Sequence, residues 1–557
     1  MTVNASESVQ LLDTFGDGRF SILQSSTTST GNAGDLKINT PVLLVKDGAQ
    51  VLADTSGSGK GGNLTVNASE SVQIIGISVD GQSVSDLSTK TRGRGEAGNV
   101  RINTPVLLVK DGAQVSAGTL GAGKGGNLTV NAFKEVQLIG TTTNSQISSG
   151  LFSETQGTGN AGDITIATPV LLIRDGARID AGTRNSGNGG NLTVRASKQV
   201  QLIGTSGIGD FSSSLRTQSN QTATGDAGSL TIATPVLLIQ NGAEVSASTL
   251  GRGRGGNIEV TADRVDIEGV SASGRPSALG SETRGIDSSA KAGDVTLTTR
   301  ILNIRDRAYL STVSSNQGQA GNITIRVDES LSARNGSIFT SSLLSSGGSV
   351  NITAQDIRLF GDSDIFTSVF SGVGNGGDIR VTANSIIAFD DSDILAFARD
   401  GKGGNITLDT PAFFGENYRP APRGTEPRTL DGNQRVDVNA TGRVSGIIRL
   451  PDTTSSQNSF TELPQNLIDT NALIANSCIV RSKLKGGSFT IVGSGGLPNR
   501  PGDANMSVYP TGEVRGVENS KLGNSKSPLW QKGDPIIEAT GVYRLDNGQL
   551  VMSRECH

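Results

Sequence analysis

The chain has 557 residues with 75 glycines, 4% aromatics and a single tryptophan, Trp530, so it has little bulky material for a wide core and ample small aliphatics for a narrow one. Its 48 basic and 52 acidic side chains give a formal charge of −4 with no basic run, which argues against nucleic acid as a partner. Two cysteines and one histidine leave almost none of the usual catalytic, cofactor or metal-ligating chemistry, and apolar runs such as Val42-Leu43-Leu44-Val45 fall far short of the ~18 residues of a membrane-spanning helix.

The chain opens inside a repeat. Met1 to Gln10 reads MTVNASESVQ and Leu64 to Gln73 reads LTVNASESVQ, so Met1 stands in the place of a core leucine. A piece of a longer protein is expected, and the missing signal peptide then says nothing about where the whole goes.

A marker of the form (Gly/Ala)-Gly-(Asn/Asp/Ser)-aliphatic-x-aliphatic recurs thirteen times up to Gly404, with alternating spacings such as 28 (Gly34 to Gly62) and 36 (Gly62 to Gly98). The two aliphatics, as in Leu36/Ile38 and Leu64/Val66, alternate with period two, which predicts a strand with one buried face. A second strand is expected in segments such as PVLLVKDGA (Pro41 to Ala49), and a third around positions such as Val51, Val115 and Ile179. Three short strands in fixed register make one triangular coil. No coil buries its inward side chains alone, so neighbours must stack at ~4.8 Å.

Glycine in the marker is expected to supply a positive φ at the corner. The next position is Asn or Asp in eleven coils: Asp35, Asn63, Asn99, Asn127, Asp163, Asn191, Asn257, Asp294, Asn322, Asp378 and Asn405. These side chains are expected to bond their own turn and to stack as a structural ladder. Long units are expected to place their extra residues at the end of the coil, as Ser/Thr/Gly-rich loops on one side; any recognition surface is expected there.

Beyond Thr410, Pro411, Pro420, Pro422 and Pro427 mark a break, and Arg435 to Leu450 reads as one more coil. After Pro451 a short helix is expected at residues 465–475, strands near residues 488–492, and a closing hairpin around Asp546-Asn547-Gly548. The expected fold is all-β: a right-handed parallel β-helix, or solenoid, over residues 1–411, a break plus a last coil over 412–450, and a small C-terminal capping segment over 451–557.

The alternating GGNLTV and AGDITI coils joined by TPVLL(V/I)(K/R)DGA, with the C-terminal run DVNATGRVSGIIRLPDT, LPQNLIDTNALIANSCIVRSKLKGGSFTIVGSGGLP and PIIEATGVYRLDNGQLVMSREC, resemble the filamentous-haemagglutinin-like exoproteins of two-partner secretion. The likeness is greatest to the cyanobacterial S-layer or haemagglutinin-like group and spans nearly the whole chain. It implies a secreted or cell-surface adhesin, exported through an outer-membrane pore partner, that meets surface glycans or other cells. The family's signal peptide and N-terminal secretion domain are not in this sequence.

An enzyme is not expected. Some parallel β-helices cleave polysaccharides with paired carboxylates, and the dense acidic clusters here are Asp362-Ser363-Asp364 and Asp390-Asp391-Ser392-Asp393. Both stand where other coils carry Lys46-Asp47-Gly48 or Arg174-Asp175-Gly176, so they read as turns. A polysaccharide-active enzyme and a non-functional fragment of a split gene stay open as alternatives. No catalytic, cofactor or metal residue is assigned. Cys478 and Cys556 bracket the C-terminal segment; in an oxidising exterior a disulfide between them is expected to contribute roughly 4–5 kcal/mol, the alternative being two unpaired thiols.

Overall fold

A computed structural model describes residues 1–12, 21–143, 146–207, 211–285, 290–422, 425–426, 429–451, 515–516, 541–544 and 550–553. Two units follow in sequence, Met1–Thr453 and Thr454–His557.

The first unit is a parallel β-helix. Alternation sets it up: Leu36, Ile38, Leu43 and Val45 turn inward and are fully buried, whereas Lys37 between them is exposed. Successive coils pair in parallel with like opposite like, Leu36 on Leu64, Leu64 on Val100 and Val100 on Leu128. Repetition of that register builds one sheet of 19 strands and a second of 15 among the described residues. Burying each Leu, Ile or Val inside such a column contributes roughly 1.5–3 kcal/mol.

The expected three short strands per coil are not what forms through most of the column. The first two merge into one bent strand, Leu36–Lys46 in one coil and Leu64–Ile75 in the next. The bend is a one-residue mismatch: Thr40-Pro41 lies beside Ala68-Ser69-Glu70, and the register shifts between Thr40 and Val42. Pro41 has no N–H to lose from the ladder, and Thr40 Oγ1 donates to the Val42 carbonyl at 3.0 Å. The corner therefore turns without breaking the sheet. Separate strands, as predicted, occur in the first coil, Thr2–Asn4 and Ser8–Leu11, and again in the later coils, for example Val350–Thr353 and Asp356–Phe360.

The second sheet holds the third strand of each coil, with Val51, Leu87, Val115, Leu151 and Ile179 stacked in register. Because Leu87 pairs with Val51, the extra residues of a long unit precede this strand and do not follow it. They leave the column as small antiparallel loops bridged at Ile77–Val84, Thr141–Ser148, Thr205–Ser212 and Val270–Pro276. The physical reason is that the inward aliphatic cannot be displaced, so added chain is extruded at the corner.

Marker glycines are not needed for φ. The left-handed residues lie instead in the following turn, Asp47 at φ 56° and Gly48 at φ 91°. What demands glycine at the marker is approach of backbone to backbone: a Cβ on Gly98 would lie 1.9 Å from the Gly62 carbonyl oxygen, and one on Gly126 1.8 Å from that of Gly98. Sequence showed which residue; stacking shows why.

The same corner hides a polar column. Thr55, Thr91, Thr119, Thr155 and Thr183 stack as parallel bridges and are buried. Thr55, Thr91 and Thr155 donate to the carbonyls of Gly59, Gly95 and Gly159 at 3.0, 2.7 and 2.5 Å, which satisfies hydroxyls that would otherwise cost stability.

Within residues 435–450, Val438–Asn439 pairs with the strand Ile394–Lys402 in the second sheet and Ile448–Arg449 with Ile406–Asp409 in the first, so this stretch supplies the third strand of one coil and the first strand of the next. In the second unit Gly541–Arg544 and Leu550–Ser553 pair antiparallel, with Arg515–Gly516 parallel to the former. The Asp546-Asn547-Gly548 turn, the expected helix at 465–475, the strands near 488–492, Cys478 and Cys556 lie outside the described residues. Among the described residues no helix is long and apolar enough to cross a membrane.

Candidate functional site

The turn ladder lies along an exposed corner, and its hydrogen bonds run between coils and not within each turn. The side-chain oxygen of Asp35 accepts the Asn63 N–H at 2.9 Å, Asn63 that of Asn99 at 3.0 Å, and Asn99 that of Asn127 at 2.8 Å. Asn127, Asp163, Asn257, Asp294, Asn322, Asp378 and Asn405 do the same for the coil that follows each of them. Asn191 passes a rung to Ser229, whose short side chain breaks the sequence of acceptors. All of these groups are occupied by the fold. A second amide ladder that sequence reading missed joins Asn4, Asn39, Asn67, Asn103 and Asn131 side chain to side chain at 2.6–2.9 Å. Its signal was the recurring Asn five residues after Gly34, Gly62, Gly98 and Gly126.

Both acidic clusters sit at the left-handed turn, with Asp362 at φ 64°, Asp390 at φ 53° and Asp391 at φ 67°. Asp364 and Asp393 stand just before the strands Ile365–Val369 and Ile394–Lys402 of the second sheet and stack, the Asp393 N–H donating to Asp364 Oδ1 at 2.9 Å and the Asp437 N–H to Asp393 Oδ1 at 2.8 Å. Burial, added to neighbouring carboxylates, raises Asp364 to about 7 and Asp393 to about 9. Such carboxyls are suited to holding protons and not to attacking a substrate.

The arrangement with most chemistry lies on the outer face of the second sheet, where three successive coils bring together residues remote in sequence. Phe152 and Asp180 stand in register with Ser116, and Gly150 stands between Gln114 and Arg178. Gly118 and Gly150 let the coils of this face approach closely: a Cβ there would lie 2.3 Å from the Glu154 carbonyl oxygen and 1.9 Å from that of Arg178. On this face is a cavity of about 170 Å³ lined by Lys90, Gln114, Ser116, Leu120, Phe152, Glu154, Gln156, Arg178 and Arg184.

Electrostatics fix its walls. Arg184 donates twice to Glu154 Oε2, at 2.8 and 3.0 Å. Arg216 pairs with Asp180 at 2.5 Å and Lys90 with Asp86 at 2.9 Å. The Arg178 guanidinium lies over the Phe152 ring at 5.3 Å and the Phe211 ring at 5.7 Å. Burial lowers Arg178 to about 10, and burial with the neighbouring Asp180 raises Glu154. Burial opposes the charge of Asp180 too, but Arg216 and Arg178 outweigh it and pull that pKa down.

Three buried polar atoms of residues lining this cavity have no hydrogen-bond partner among the described residues: Ser116 Oγ, Arg178 Nε and Glu154 Oε1, the last lying 3.8 Å from Arg178 Nη2. Ser116 is 1% exposed. A buried donor or acceptor left unpaired costs about 1–3 kcal/mol, so their gathering beside one cavity makes it the candidate site. None of these residues was singled out from sequence, because the motif exists only once coils are stacked. No protein-family model, curated protein or solved structure matches the chain.

Proposed function

We propose that the chain is the shaft of an exported adhesin-like exoprotein that holds saccharides of other cells or surfaces on the outer face of its second sheet, without turning them over. The observation that carries the reading is the cavity on that face whose lining residues hold three buried atoms without a hydrogen-bond partner among the described residues, Ser116 Oγ, Glu154 Oε1 and Arg178 Nε. Stacked coils hold such a site on a stiff support, as a contact under load requires. The likeness of the coils and C-terminal run to two-partner-secretion exoproteins supplies the surface location and the outer-membrane pore partner.

A polysaccharide-active enzyme is the alternative, and the raised pKa of Glu154 favours it as a proton donor. Against it, Arg184 holds Glu154 Oε2 and Arg216 holds Asp180, so neither carboxylate stands free across a groove as hydrolysis needs. Protease shaving of intact source cells, with mass spectrometry of the released peptides, tests the location, and a glycan array probed with the purified chain tests binding. Recovery from the surface with array binding is expected. Finding the chain only inside cells, or release of new reducing ends from a bound polysaccharide, overturns the reading.

A further inference from the structure

Resting on the reading of that face as a binding surface, we propose that the cavity between Ser116, Phe152, Glu154 and Arg178 is a subsite for one uncharged sugar ring. Size sets the first limit. At about 170 Å³ the cavity is smaller than the ~300–1,000 Å³ of sites for drug-sized ligands, and it suits a single ring.

The unpaired atoms set the chemistry. Arg178 Nε can only donate, Glu154 Oε1 as a carboxylate can only accept, and Ser116 Oγ can do either. A hydroxyl does both, so neighbouring hydroxyls of one ring satisfy the three together. An anionic ring would place its charge against Glu154, and a cationic one against Arg178. Each charge at the site already lies beside one of opposite sign: Arg178 Nη2 is 3.8 Å from Glu154 Oε1, Arg184 pairs with Glu154 Oε2, Arg216 with Asp180 and Lys90 with Asp86. No charged group there stands without a counter-charge, which leaves hydroxyls as the groups the site can best add. Leu120 and Phe152 supply an apolar wall for the C–H face of a ring.

Ser116 gives a readout that a merely structural residue would not. Its hydroxyl is buried and unpartnered, so Ser116→Ala removes a ligand contact without removing a contact of the fold. Thermal stability is expected to hold or rise while binding falls.

The test uses the purified full chain and four probes, by saturation-transfer NMR and calorimetry: methyl glucoside, methyl galactoside, methyl mannoside and methyl glucuronide. At least one neutral glycoside is expected to bind saturably, and the glucuronide roughly tenfold more weakly or not at all. Ser116→Ala and Glu154→Gln are each expected to weaken binding roughly tenfold, the former with an unchanged or higher Tm. Equal binding by the variants, a preference for the glucuronide, or no binding of any neutral ring overturns the inference. Array binding that persists in both variants would leave the adhesin reading standing and remove only this subsite. A silent array removes the reading beneath it.

Discussion

A Cβ at Gly126 would lie 1.8 Å from the Gly98 carbonyl oxygen, whereas Gly140 has φ +74° and nothing within 4 Å of a Cβ. The two glycines therefore carry different physics under one letter. Gly126→Ala must push two coils apart in a close-packed column, and its expected cost is about 3 kcal/mol or more. Gly140→Ala meets only the left-handed backbone, for which about 1–2 kcal/mol is expected. Urea unfolding of both variants checks the contrast, and equal losses would mean that backbone approach is not what selects the marker glycine. The Asn and Asp at the marker act at the same scale. They were legible as a ladder, but which N–H each accepts depends on the next coil, 27 to 42 residues away.

At the scale of the coil, the acidic stack makes a pH-dependent element. Asp364 and Asp393 face Asp362, Asp391, Asp431 and Asp437, and Arg435, held by Asp437, is the paired cation beside them. Their folded pKa values, about 7 and about 9, stand above the ordinary 3.8. The folded chain therefore binds these protons more tightly than the unfolded one. The stability they contribute is full below pH ~4 and is lost as pH rises through about 7 for Asp364 and toward about 9 for Asp393. Asp393→Asn keeps an acceptor for the Asp437 N–H and removes the charge, so this coil is expected to gain about 1–3 kcal/mol at pH 8 and to lose most of its pH dependence. Hydrogen exchange of residues 394–398 across pH 5–9 checks it; protection in the parent chain that is flat with pH would refute the linkage.

A solenoid is a sum of near-identical neighbours, and that gives the molecule its own prediction. Deleting Asn99 to Gly162 removes two coils and joins Gly98 to Asp163, so one marker runs into another in register. The shortened chain is expected to fold with the same strand signal in circular dichroism and to lose the cavity, since Ser116, Phe152 and Glu154 go with the segment. A deletion of similar length that starts mid-strand is expected to abolish folding, because a slip of register turns inward aliphatics out. By itself the sequence determined the stack: period-two aliphatics after each Gly-Asn or Gly-Asp admit one solution, because their inward faces can be buried only by another copy. Tertiary structure alone decided which first two strands merge, where the long units extrude their loops, and the candidate site. Those depend on residues such as Ser116, Glu154 and Arg178, which are far apart along the chain and become neighbours only when successive coils stack in register.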